Sequence, residues 1–92
     1  MKFEWDREKA AANLRKHGVS LEEAATVFGD PLARTYEDPD ASEAERRELT
    51  FGVSRAGRRL VVAHCDRGDR LRIISARVMT RREQRGYEEG DE

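Results

Sequence analysis

The sequence predicts an α+β domain, with two N-terminal helices packed on an antiparallel sheet and a short helix at the C-terminal end. Three observations predict it. Two capped helical segments lie between Asp6 and Phe28, apolar residues recur at a period of two from Leu49 onward, and a second Thr80–Glu83 capping box follows the last apolar strand. A chain of 92 residues is expected to form one domain, 1–92, with a frayed acidic tail at 88–92.

Lys2–Trp5 reads as a short strand, because Phe3 and Trp5 alternate with Lys2 and Glu4. Asp6 is a good N-cap, and Ala10, Ala11, Ala12, Leu14 and Arg15 favour helix. Gly18 stops that helix, after Lys16 and His17, whose charges suit a helix C-terminus. Ser20 and Glu23 form a capping box, and the helix they open sets Leu21, Ala24, Ala25 and Phe28 on one face. The two helices form a helix-turn-helix-like pair, ended by Gly29-Asp30-Pro31. Ala33–Tyr36 is a possible further strand, and Asp38-Pro39-Asp40 opens a polar loop through Glu45. Leu49, Phe51 and Val53 then alternate with Glu48, Thr50 and Gly52. Leu60–Cys65 is a more fully buried strand, Asp66–Asp69 turns, and Leu71–Val78 returns, giving a three-strand antiparallel meander. The last helix ends near Tyr87. With helices on one sheet face, the other is left partly open.

The net charge of -1 conceals a pattern. Residues 55–87 hold ten arginines against Asp66, Asp69 and Glu83, whereas acidic residues dominate 37–54 and 88–92. A basic block between acidic ones points to a local anion-binding surface rather than a wholly basic coat. Cys65 stands alone, so one chain holds neither a disulfide framework nor a cysteine-based zinc site. There is no apolar leader and no run of 18 apolar residues, so a cytoplasmic location is expected. Walker, GxGxxG and HExxH motifs are absent. Asp38, Asp40 and Glu43 lack the glycine and register of an EF-hand, and neither a metal nor another cofactor is expected.

Guanidinium groups along a strand are costly to bury unpaired, and their planar forks suit phosphate. RNA is the polyanion most consistent with them, and its 2′-OH can attack the adjacent phosphate without a metal. Such a site must move protons and stabilise charge on the phosphorus oxygens. Arg70, Arg72, Arg77, Arg81, Arg82, Glu83 and Tyr87 are candidates, with His64 on the neighbouring strand. Several also have a structural reading: Arg70 and Arg72 as solvated strand residues, Glu83 as a capping acid, Tyr87 as a packed ring and His64 as a satisfied strand residue, as does His17 as a helix-end residue. Parity constrains the set. On one unbroken strand Arg70 and Arg72 face opposite to Arg77, unless a bulge or the strand end re-aims one.

The segment FEWDREKAAANLRKHGVSLEEAATVF at Phe3–Phe28 resembles the opening of BrnT-type toxins, with an F-x-W-D strand, an N-x-x-K-H-G helix and a V-[ST]-[FL]-x-E-A helix. The resemblance continues through Asp30-Pro31, Gly57–Val62, Arg72–Arg77, Arg82-Glu83 and Tyr87. It implies a RelE-like fold and a ribonuclease toxin of a type II toxin–antitoxin pair that inhibits translation. The implied partner is a BrnA-like ribbon-helix-helix antitoxin, and operator DNA is bound through that antitoxin. On this resemblance Arg72 and Arg77 bind the scissile phosphate, and Glu83 or Tyr87 moves protons or touches a base. Arg70, Arg81, Arg82, Lys16, His17 and His64 become RNA-contacting candidates. Val78-Met79 departs from a Lys-Ala-type pair common in relatives, which implies weaker RNA contact; Leu21 replaces a common Phe. Two rival readings are a non-catalytic antitoxin-binding member of the fold and a DNA-binding module using the helix pair. Glu22 and Glu23 at the start of the second helix suit a major groove poorly.

Overall fold

A computed structural model describes residues 1–41 and 46–89. The elements run β1 (Lys2–Glu4), α1 (Arg7–His17), α2 (Leu21–Thr26), a 3-10 turn (Val27–Gly29), β2 (Arg34–Glu37), β3 (Arg47–Val53), β4 (Arg59–Arg67), β5 (Arg70–Val78) and α3 (Arg81–Glu89).

Helix ends follow the local chemistry. The Asp6 carboxylate accepts from the N–H groups of Glu8 at 2.8 Å and Lys9 at 3.1 Å. Gly18 closes α1 at φ +68°, a conformation that favours glycine. Thr80 and Glu83 form the complete reciprocal box: each backbone N–H donates to the other's side chain, at 2.8 and 3.1 Å. The expected box at Ser20 is only half made. Ser20 Oγ accepts from Glu23 N, but the Glu23 carboxylate takes Arg58 Nε at 2.9 Å and Ser54 Oγ at 2.7 Å. A cationic donor binds a carboxylate more strongly than a neutral amide does. The same Arg58 reaches Gly18 O, tying the turn between α1 and α2 to the start of β4.

The sheet order is β1-β5-β4-β3-β2. The sheet is mixed, which corrects the antiparallel expectation: β1 runs parallel to β5, while the other pairs are antiparallel. Both helices and the meander intervene between β1 and β5, the long connection that a parallel pair requires. α1, α2 and the 3-10 turn cover one face. Val19, Leu21, Ala24 and Val27 meet Leu60, Val62, Ile73 and Ala76, with Phe3, Trp5, Phe28 and Leu71 packed around them. On β3 the buried positions are Thr50 and Gly52, so its apolar residues Leu49, Phe51 and Val53 face the other way. A Cβ at Gly52 would lie 2.9 Å from Val27 Cγ1 and 3.0 Å from Ala33 Cβ, so only glycine admits this approach. The C-terminal helix runs past Tyr87 to Glu89. Residues 90–92 and most of the expected polar loop, Glu43 included, lie outside the described residues.

Candidate nucleic-acid interface

Residues paired across neighbouring strands put their side chains on one side of a sheet. Ala63 pairs with Ser75 and the next residue, His64, pairs with Ile73. Ile74 is therefore an extra, unpaired residue, a bulge that inverts the parity of β5 at that point. Its consequence is direct: Arg70, Arg72, Ser75 and Arg77 share the face turned away from α1 and α2.

The register continues across that face in rows. One row is Arg77, Val61, Phe51 and Arg34; the next is Ser75, Ala63, Leu49 and Tyr36; a third is Arg72, Cys65 and Arg47. An apolar floor on the central strands is thus bordered by arginine on both sides. Arg34, Arg47 and Tyr36 were not among the sequence candidates. The alternation Arg34-x-Tyr36 beside Arg47-x-Leu49-x-Phe51 is the signal that could have found them.

Asn13 sets the flank of this surface. It is the buried residue of α1. Its Nδ2 donates to Val19 O at 2.9 Å and to Ala76 O at 2.8 Å, and its Oδ1 accepts from Ala76 N at 3.0 Å. β1 covers β5 only at Arg70–Arg72, so the Asn13 amide replaces a missing strand neighbour at Ala76. One turn later α1 ends at His17. The imidazole lines a small depression, about 70 Å³, with Leu49, Val61, Ala63, Ser75, Ala76 and Arg77. Lys16 is exposed beside it.

The arginines here are paired yet accessible. Arg77 Nη1 and Nη2 donate to Glu83 Oε1 and Oε2 at 2.7 and 2.9 Å, and the Arg77 side chain remains 40% exposed. This end-on pairing leaves the Nε–H and one Nη2–H as a second, side-on fork. Arg72 donates through Nη1 to Glu4 at 3.0 Å and its side chain is 32% exposed. Arg70 approaches the same Glu4 at 3.4 Å. The Arg77 guanidinium holds the Glu83 carboxyl at about 2, and the Glu4 carboxyl lies below its ordinary range chiefly through its bond to Arg72. Arg81 and Arg82 are exposed on the first turn of α3.

Two candidates stand elsewhere. His64 is 3% exposed and lies on the covered face, correcting its reading as an RNA contact. Unbroken alternation along β4 makes this so, since His64 shares the side of Leu60 and Val62, which is the core side. Its Nε2 bonds Thr50 Oγ1 at 2.7 Å, the Phe28 ring stands T-shaped to it at 5.0 Å, and burial lowers its pKa. The Tyr87 hydroxyl donates to Asp30 Oδ2 at 2.8 Å. Burial first, and then this bond, raise the Tyr87 pKa. Burial works against the Asp30 charge, but the N–H groups of Leu32 and Val53 and the Tyr87 hydroxyl hold its pKa low. Tyr87 is therefore a strut tying α3 to the end of the helix layer.

A wider groove of about 720 Å³ runs on the helix side, between Met1, Phe3, Ala25, Phe28 and Val53. Size alone would favour it, but among the described residues Arg55 is its only cationic side chain and no histidine lines it. The chemistry favours the smaller depression. Among the described residues no group of three His, Cys, Asp or Glu is placed to hold a metal ion, and no helix is long and apolar enough to cross a membrane.

A family model described as "Ribonuclease toxin, BrnT, of type II toxin-antitoxin system" matches residues 5–83. The 1.1 Å crystal structure of the Brucella abortus ribonuclease toxin BrnT is similar over 88% of this chain and 99% of its own. The TM-score is 0.68 at 23% sequence identity, a likeness of fold. A search of curated proteins gave no significant match.

Proposed function

Because the chain belongs to the BrnT family of ribonuclease toxins of type II toxin–antitoxin systems, we propose that its sheet face opposite α1 and α2, bordered by α3, binds RNA and cleaves it without a metal ion. The observation that carries this reading is the Ile74 bulge, which puts Arg70, Arg72 and Arg77 on one face, with Arg77 beside His17.

The reaction fits the groups present. The ribose 2′-oxygen bonds to phosphorus, the bond from phosphorus to the 5′-oxygen breaks, and a 2′,3′-cyclic phosphate and a 5′-hydroxyl result. The side-on fork of Arg77 meets the charge on the phosphorus oxygens, and Arg72, four β4 residues further along the face, binds a neighbouring phosphate. His17 takes the 2′-OH proton, and water supplies one to the leaving oxygen. Glu83 is a poor proton carrier at neutral pH with its carboxyl at about 2, so its role is to orient Arg77. Arg70, Lys16, Arg81 and Arg82 contact the RNA backbone, and Tyr87 acts through the placement of α3.

Membership of a type II pair implies an antitoxin. On this reading it is a BrnA-like ribbon-helix-helix protein, and operator DNA is bound through it. The chain is a single RelE-like domain, 1–92, that acts in the cytoplasm by inhibiting translation.

Purified, antitoxin-free protein is expected to cleave single-stranded RNA undiminished by EDTA, and His17→Gln is expected to slow cleavage by roughly 10²–10⁴-fold. Intact RNA with the wild-type protein would favour the non-catalytic alternative. Loss of cleavage in EDTA would overturn the metal-free mechanism, and an unchanged His17→Gln rate would remove His17 from proton transfer.

A further inference from the structure

Opposite Arg77 on the open face stands an aromatic pair that the reaction does not use. Tyr36 on β2 and Phe51 on β3 meet edge-to-face, with centroids 5.7 Å apart and planes at 79°. Tyr36 is 42% exposed, while Phe51 is half-buried in the floor. Arg34 lies two residues before Tyr36 and pairs across the sheet with Phe51, and Arg47 lies two residues before Leu49, the pairing partner of Tyr36. A π-face bordered by guanidinium groups is the combination that holds single-stranded nucleic acid: the ring stacks a base and the cations track the backbone.

We infer that Tyr36, backed by Phe51, is a stacking subsite for a nucleobase of the RNA, a reading that rests on the proposed ribonuclease function. Three inter-strand steps separate β2 from β5, about 14 Å at the usual strand spacing. That is beyond the reach of one nucleotide, so the stacked base is not the one at the scissile phosphate but a flanking one. Its identity contributes to cleavage preference through stacking strength.

The test is equilibrium binding of a short, uncleavable 2′-O-methyl oligoribonucleotide, repeated with an abasic residue at each position in turn. Tyr36→Ala is expected to weaken binding of the intact oligonucleotide roughly 5–150-fold, and Tyr36→Phe to bind within about two-fold of wild type. One abasic position should weaken wild-type binding and leave Tyr36→Ala binding unchanged. Circular dichroism confirms that both variants are folded, as expected for an exposed edge-strand position. Equal affinity of Tyr36→Ala and wild type, or an abasic penalty identical in both, would overturn the subsite while leaving the ribonuclease reading intact. So would a Tyr36→Ala variant that loses antitoxin but keeps RNA, which would assign the patch to the protein partner. A wild-type protein that binds no RNA would overturn both readings.

Discussion

Arg77→Ala is expected to lower RNA cleavage by roughly 10²–10³-fold, the usual cost of removing a donor aimed at developing charge. The fold should survive. The Arg77 side chain is 40% exposed, and exposed ion pairs contribute only about 0–1 kcal/mol. After the substitution Glu83 keeps its bonds with Thr80, so α3 retains its N-terminal box. Tyr87–Asp30 and Gln84–Met79 still hold that helix to the body of the protein. Arg77→Lys keeps the charge but loses both forks, and should recover only part of the rate. The measurement is single-turnover cleavage beside a thermal melt. A variant that unfolds would make Arg77 a structural pair-former and would refute its assignment to the site.

The largest stability effect is expected at Asn13. Asn13→Ala strips three hydrogen bonds from a 5% exposed position and leaves the N–H and C=O of Ala76, with Val19 O, unpaired in the interior. Each abandoned buried group costs about 1–3 kcal/mol. A net loss of about 3 kcal/mol is large against the roughly 5–15 kcal/mol that holds a domain together. In a domain of this size it lowers Tm by roughly 12–24 °C. Asn13→Asp keeps the acceptor for Ala76 N–H but loses both donations, and should also destabilise. A Tm within a few degrees of wild type for Asn13→Ala would mean that α1 is held to β5 by its apolar contacts alone. Its placement of His17 beside Arg77 would then not depend on the amide.

Much of the fold was legible because its signals are local. Asp6, Gly18, Ser20 and the Thr80–Glu83 box mark helix ends by chemistry that acts within one turn, and the structure places all of them at helix ends. What escaped depends on distant partners. Glu23 reads as a capping acid until Arg58, 35 positions away, arrives beside it. β1 has no hairpin turn to declare its direction, so its parallel pairing with β5 is not written in Lys2–Glu4. The bulge is the most consequential case. In Ile73-Ile74-Ser75-Ala76 either parity places apolar residues on the core face, so the run does not reveal where the alternation slips. The direction in which Arg72 and Arg77 point depends on that slip. His64 was misread because Leu60–Cys65 is apolar on both faces, so alternation alone does not say which is the core side, and Arg34 and Tyr36 were missed because they sit outside the arginine-rich block that drew attention to β5.

The central claim is that RNA lies on the sheet face opposite α1 and α2. Backbone amide NMR shifts during titration with an uncleavable 2′-O-methyl oligoribonucleotide test it most directly. Perturbations are expected at His17, Val61, Ala63, Ser75 and Arg77, the residues that line or border the depression. Shifts confined to Phe3, Ala25 and Phe28 in the groove on the helix side would contradict it.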